Sequence, residues 1–92
     1  MTEEHKELYH IVQEECAELI QCISKILRFG YDSEYNGKKS YERLQEEVGD
    51  VLATIELLEE YGLINMEKVE RQKKEKFKKL EIWSNLKMRS VK

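Results

Sequence analysis

Glu15 and Glu18 stand three positions apart, and thirty-two positions later Glu47 and Asp50 repeat that spacing. On a helix, residues three apart share a face, so each pair presents two carboxylates side by side. If two such helices pack against each other, four carboxylates converge, and a cluster of that charge requires a cation. Oxygen donors without His or Cys suit hard Mg²⁺ or Mn²⁺ rather than Zn²⁺. A di-iron bundle would need a Glu-x-x-His pair, which the chain lacks. His5 and His10 lie toward the N-terminus without such an arrangement and read as surface residues.

The elements that must position these acids follow from the apolar pattern. At about 100° per residue, Leu8, Val12, Cys16, Leu19, Ile23, Ile26 and Leu27 form one stripe roughly 100° wide. Glu15 falls inside its border, and Glu18 lies one step further out, beside Ile11 and Cys22. The offset of thirty-two carries the whole stripe onto a second helix, taking Val12 to Leu44, Cys16 to Val48, Leu19 to Val51, Ile23 to Ile55 and Ile26 to Leu58. Two helices therefore carry one acidic design, and an antiparallel hairpin brings the designs together. Leu52 and Leu57 widen the second apolar arc until it needs partners on two sides. We therefore expect a homo-oligomer, a dimer or tetramer, that completes a four-helix-bundle-like core.

In chain order, Thr2 caps a helix over residues 2–29 whose opening turn carries Glu3 and Glu4, favourable at the positive end of the helix dipole. Gly30 ends it, and residues 30–39 read as a loop. Ser40 is the expected N-cap of a second helix over 40–61, stopped by Gly62. Gly49 inside that helix costs about 1 kcal/mol relative to Ala and points either to close approach by a backbone or ligand or to simple tolerance. Asn65 caps a third helix over 66–88, where Met66, Val69, Phe77 and Leu80 share a face. Lys73 falls in the middle of that face and Lys76 at its edge. They are either cations aimed at a phosphate or at the acids, or snorkelling side chains with packed stems.

Composition sets the class. The chain has 92 residues, 38% of them charged, and no Pro, which describes one all-α domain, 1–92, with a modest core. Residues 1–70 carry 17 acids against 7 bases, and residues 71–92 carry 2 against 9. The basic segment balances the chain's own carboxylates or meets a small anion, and the acidic remainder argues against nucleic acid as a partner. Cys16 and Cys22 point about 120° apart on one helix and read as core thiols. With no signal peptide and no membrane-length apolar run, a cytoplasmic setting without membrane attachment is the expectation.

The pattern Glu14-Glu15-Cys16-Ala17-Glu18 followed by Glu47-Val48-Gly49-Asp50 resembles the MazG-like superfamily of all-α nucleoside triphosphate pyrophosphohydrolases. The flanks Ser24-Lys25-Ile26-Leu27-Arg28-Phe29-Gly30 and Leu44-Gln45-Glu46-Glu47-Val48-Gly49-Asp50-Val51-Leu52-Ala53 share the likeness, which covers residues 8–62. The resemblance implies Mg²⁺-dependent cleavage of a nucleoside triphosphate between its α and β phosphates, with Glu15, Glu18, Glu47 and Asp50 as metal ligands. It implies basic residues of the later helix on the phosphates, either Lys73 or Lys76, and nucleotide-pool house-cleaning as the role. A bound cation neutralises the triphosphate and makes a water acidic enough to attack near neutral pH. Glu14, about 40° beyond Glu18, is placed to orient that water, to touch a second ion, or to stand in solvent. Stacking groups for a base are Phe29, Tyr31, Tyr35, Tyr41 and Trp83. Arg28, Lys38 and Lys39 approach phosphates from the loop side, although a solvated loop accounts for the two lysines. Phosphoribosyl-ATP pyrophosphohydrolase shares the chemistry, and a non-catalytic helical interaction module is the reading from another class.

Overall fold

A computed structural model describes residues 1–88 of the chain. Among these residues the architecture is all-α, with three helices and one minimal hairpin. The helices are α1 (Glu3–Phe29), α2 (Ser40–Glu60) and α3 (Met66–Trp83), and the hairpin joins β1 (Glu34–Tyr35) to β2 (Lys38–Lys39). Two compact units are formed, Met1–Tyr61 and the remainder from Gly62.

The start of α1 follows from its sequence. Thr2 Oγ1 accepts from His5 N at 3.0 Å, and Glu3 and Glu4 occupy the first turn. At the other end Gly30, at φ 104°, takes the chain out of the helix while its N–H donates to Ile26 O at 2.8 Å. That φ belongs to the left-handed region, where glycine is the favoured residue.

The expected loop contains the hairpin. Asn36 (φ 53°) and Gly37 (φ 76°) both adopt positive φ, the requirement of a two-residue type I′ turn that Asn-Gly satisfies. Glu34 pairs with Lys39 and Tyr35 with Lys38, and Lys39 Nζ stands 3.5 Å from Glu34 Oε1. The ends of the segment are tied by Ser40 N donating to Ser33 O at 2.8 Å and by the two serine hydroxyls 2.7 Å apart. Ser40 is thereby the first residue of α2 rather than its cap. Lys39 takes the N-cap position, and its N–H donates to Glu42 Oε1 at 3.0 Å. At the C-terminal end of α2, Gly62 turns the chain at φ 71°.

α1 and α2 run antiparallel: the hairpin joins them at one end, and Tyr61 hydroxyl reaches Glu4 Oε2 at 2.9 Å at the other. The seam is thin. Leu8, Cys22 and Thr54 are the buried residues among those described, and Thr54 satisfies its hydroxyl on Val51 O at 2.7 Å. Val12, Glu15, Cys16, Leu19 and Ile26 are half-buried on α1, as are Leu44, Glu47, Val51, Ile55 and Leu58 on α2. Both cysteines are free.

The buried face of α1 is rotated from the expected stripe, because Ile23 and Leu27 stand in solvent together with Ile20, Val48 and Leu52. Gly49 meets no close neighbour, since a Cβ there would touch nothing within 4 Å.

In the second unit, Asn65 Oδ1 accepts from Lys68 N at 3.2 Å and starts α3. Met66, Val69, Phe77 and Leu80 are half-buried, as their shared face requires. α3 ends at Trp83, five residues short of Met88, where Ser84 turns its hydroxyl back onto Leu80 O at 2.6 Å. A serine hydroxyl that satisfies a carbonyl of the last turn competes with continued helix. Of the described residues, no helix is long and apolar enough to cross a membrane.

Candidate metal centre

The antiparallel pairing of α1 and α2 sets Glu15 and Glu18 across from Asp50 and Glu47. Each of the four offers one carboxylate oxygen such that all lie within 4.8 Å of one another. Glu15 and Glu47 are half-buried and Glu18 and Asp50 exposed. The inner pair sits on the seam, and the outer pair opens the cluster to solvent.

The electrostatics are those of a site under repulsion. Glu15 holds its proton more tightly than an ordinary carboxyl, first because its environment strips water from the charged form. Glu18, Asp50 and Glu14 then add negative charge around it. Glu47 is pushed up in the same way, by desolvation and then by Glu18 and Asp50. Burial and like charge both disfavour the ionised form. Glu15 Oε2 and Glu47 Oε2 are buried and accept no hydrogen bond. Orphaned buried oxygens call for a partner, and a hard divalent cation satisfies both the orphaned lone pairs and the excess charge. The donor set fits Mg²⁺ or Mn²⁺.

Glu14 does not join this group. It is exposed and lines a shallow groove with Glu3, Lys6, Glu7, His10 and Ile11, so its bearing on the cluster is the charge it adds beside Glu15. Arg28 lies over the Phe29 ring, 5.0 Å from its centroid. Phe29 is 63% exposed and lines a cavity of about 330 Å³ with Lys25, Glu34, Tyr35, Ser40 and Arg43.

Tyr31 and Tyr41 pack on each other, ring centroids 5.4 Å apart. Lys38 pairs with Glu46 at 2.7 Å. Lys73, Lys76 and Trp83 are exposed on α3, and Lys73 pairs with Glu70 at 3.3 Å.

Two residues of the cavity, Lys25 and Arg43, went unremarked in the sequence reading. The signal was present in the thirty-two-residue offset, which places Lys25 on Leu57 and Arg43 on Ile11. Where an apolar frame repeats, the positions at which charge replaces hydrocarbon mark what the two halves do differently.

No curated protein and no solved structure gives a match to the chain. The sequence model of the MazG nucleotide pyrophosphohydrolase domain matches residues 3–81, from the first residue of α1 into the last turn of α3. That span takes in both acidic pairs and most of the chain, and the chain belongs to the MazG nucleotide pyrophosphohydrolase family.

Proposed function

We propose that the chain hydrolyses a nucleoside triphosphate at the α–β anhydride, giving the monophosphate and pyrophosphate, on Mg²⁺ held by Glu15, Glu18, Glu47 and Asp50. The observation that carries this is the quartet itself: four carboxylates within 4.8 Å, two of them with buried oxygens that have no partner. When bound, the cation supplies charge neutralisation for the polyphosphate and a water acidic enough to attack.

The residues do the rest. Glu15 and Glu47 would hold the cation from the seam, with Glu18 and Asp50 at the open side where a polyphosphate can enter. A carboxylate oxygen left free of the cation takes the proton of the attacking water. The new bond joins the water oxygen to phosphorus, the bridging P–O bond breaks, and pyrophosphate leaves with the bridging oxygen. Neither Ser nor Cys stands in the quartet, and with water as the nucleophile no covalent intermediate is needed.

The site is proposed to work in a homo-oligomer. Ile20 is 66% exposed, Leu27 81% and Leu52 60%. Together with Ile23 and Val48 they leave apolar side chains of both helices in water, and a second copy of this chain would cover them. Light scattering coupled to size exclusion should show a mass above 11.1 kDa, with Leu27→Glu shifting the chain toward monomer.

The activity is tested with a panel of ribo- and deoxyribonucleoside triphosphates in Mg²⁺, reading phosphate release with and without added inorganic pyrophosphatase. Release that depends on the added pyrophosphatase, and that vanishes in EDTA, supports the proposal. Phosphate release independent of the coupling enzyme, or a chain inert toward the whole panel, removes it and favours a helical interaction module.

A further inference from the structure

Residues 1–61 carry 15 acids and 6 bases. With acids in such excess, every cation has carboxylates to choose from. Lys6, Lys38 and Lys39 each stand within 4.0 Å of one. Among the described residues Lys25, Arg28 and Arg43 do not, and all three lie over aromatic rings instead. Lys25 Nζ is 5.7 Å and the Arg43 guanidinium 6.0 Å from the centroid of the same Tyr35 ring. Arg43 Nη2 donates to Tyr35 O at 3.1 Å, whereas its Nε is buried without a partner. Two cations held over one ring, neither paired with a carboxylate among the described residues, are arranged for an anion brought from outside.

Their position says which anion. Lys25 and Arg43 line the cavity of about 330 Å³ together with Phe29, Glu34, Tyr35 and Ser40, a volume suited to a small organic ligand, and the Glu34 carboxylate is paired with Lys39 at 3.5 Å. On α1 the order runs Glu18, Cys22, Lys25, Phe29, and on α2 it runs Asp50, Glu47, Arg43, Ser40. At 1.5 Å per residue, Lys25 lies about 10 Å along the helix from Glu18, and Arg43 about 6 Å from Glu47. Cys22 marks the boundary between the two regions. Its thiol is pushed up by burial and by Glu47 on one side, while Arg43 and Lys25 pull it down from the other. Carboxylates, cations and aromatic rings therefore follow one another along a single seam.

The opposite end of the hairpin is the natural control. The thirty-two-residue offset maps Lys25 to Leu57, Phe29 to Tyr61, Arg43 to Ile11 and Ser40 to Leu8. Those four equivalents also share a groove, and it adds Glu4 and Glu7. That groove is apolar and anionic, and it repels phosphate. The repeated frame thus gives the quartet two flanks, of which one accepts negative charge.

We propose that the cavity at the connected end of the hairpin takes the nucleoside 5′-monophosphate portion of the substrate, with its phosphate on Lys25 and Arg43 and its base against Phe29 and Tyr35. This rests on the reading of the quartet as the hydrolytic centre. The nucleotide then lies along the α1–α2 seam with its base toward the β1–β2 hairpin and its terminal phosphates over the carboxylates. It follows that the monophosphate product binds without metal, whereas pyrophosphate, which has only the cation to hold it, does not.

Titration calorimetry in EDTA tests this, with the eight common ribo- and deoxyribonucleoside monophosphates and pyrophosphate as probes. At least one monophosphate should bind saturably, and pyrophosphate should not. Lys25→Gln and Arg43→Gln should each weaken monophosphate binding about tenfold, the loss of one charge-assisted contact. Leu57→Gln, at the equivalent position of the other flank, should leave it within about twofold. Lys25 makes no hydrogen bond or ion pair among the described residues, so its variant tests the assignment even if Arg43→Gln loosens the hairpin.

Absence of saturable monophosphate binding by the unmodified chain overturns the assignment. So does binding indifferent to Lys25→Gln, or weakened equally by Leu57→Gln. The two readings fail separately. Mg²⁺-dependent pyrophosphate release without monophosphate binding in EDTA leaves the hydrolase and removes the cavity, while binding without turnover does the reverse.

Discussion

The two ends of the α1–α2 hairpin are built on one frame and differ in charge. At the connected end, Lys25 and Arg43 face Tyr35. At the open end, Leu57 and Ile11 occupy the equivalent positions beside Glu4 and Glu7, and Tyr61 closes the seam by donating to Glu4. Between them the quartet is nearly symmetric, one carboxylate pair from each helix. A cation can be held by a symmetric cage, because its charge has no direction. A nucleotide has a base at one end and phosphates at the other, and it needs flanks that differ. On the proposed reading, the repeat supplies the centre and departures from the repeat supply the polarity.

The comparison breaks most severely at the centre. Glu47→Gln removes a proposed ligand of the cation and should lower kcat/KM by at least about a hundredfold, and Asp50→Asn should behave alike; steady-state kinetics in saturating Mg²⁺ reads both. At the connected end, Arg43→Gln should raise KM about tenfold with a smaller change in kcat, since it removes binding shared by ground and transition states. Equal falls in kcat and kcat/KM would instead place Arg43 on the reacting phosphate.

Mg²⁺ should also raise Tm, because the cation relieves repulsion present only in the folded chain. At a hundredfold excess over Kd the linkage is worth about 2.7 kcal/mol, a shift of several degrees for a chain this small. Its pH dependence has a definite sign. Glu15 and Glu47 have raised folded-state pKa values, so in EDTA their contribution to stability is full below the ordinary carboxylate range. It is lost as pH rises through the raised values. Mg²⁺ binds the ionised form, so the gap in Tm between Mg²⁺ and EDTA should widen from pH 5 to pH 8, and differential scanning at the two pH values checks it. Smallest of all, Glu14→Gln should change kcat/KM by less than about fivefold, as befits an exposed charge beside the quartet rather than in it.

Much of this was legible in the sequence, for reasons that are local. Thr2, Gly30, Asn65 and Gly62 act through their own backbone neighbours, and each sits where a cap or stop is required. The acidic pairs were legible because periodicity alone puts them on facing sides.

The losses have physical causes as well. Asn36-Gly37 was absorbed into a loop, although that dipeptide favours the positive φ of a type I′ turn. Ser40 has the right side chain for a cap, but its hydroxyl is engaged by Ser33 across the hairpin, which leaves Lys39 to begin the helix. Ile23 and Leu27 belong to the apolar stripe but stand in solvent, because a stripe drawn from one helix cannot say which part of it the partner helix covers. Lys25 and Arg43 each look like solvated residues in the sequence, and only the folded hairpin brings both to one ring.

If the quartet directs water to the α–β anhydride, ³¹P NMR of a nucleoside triphosphate turned over by the chain in Mg²⁺ should show signals of pyrophosphate and nucleoside monophosphate growing in equal amounts, absent in EDTA and absent with Glu47→Gln. Orthophosphate appearing with nucleoside diphosphate would contradict it.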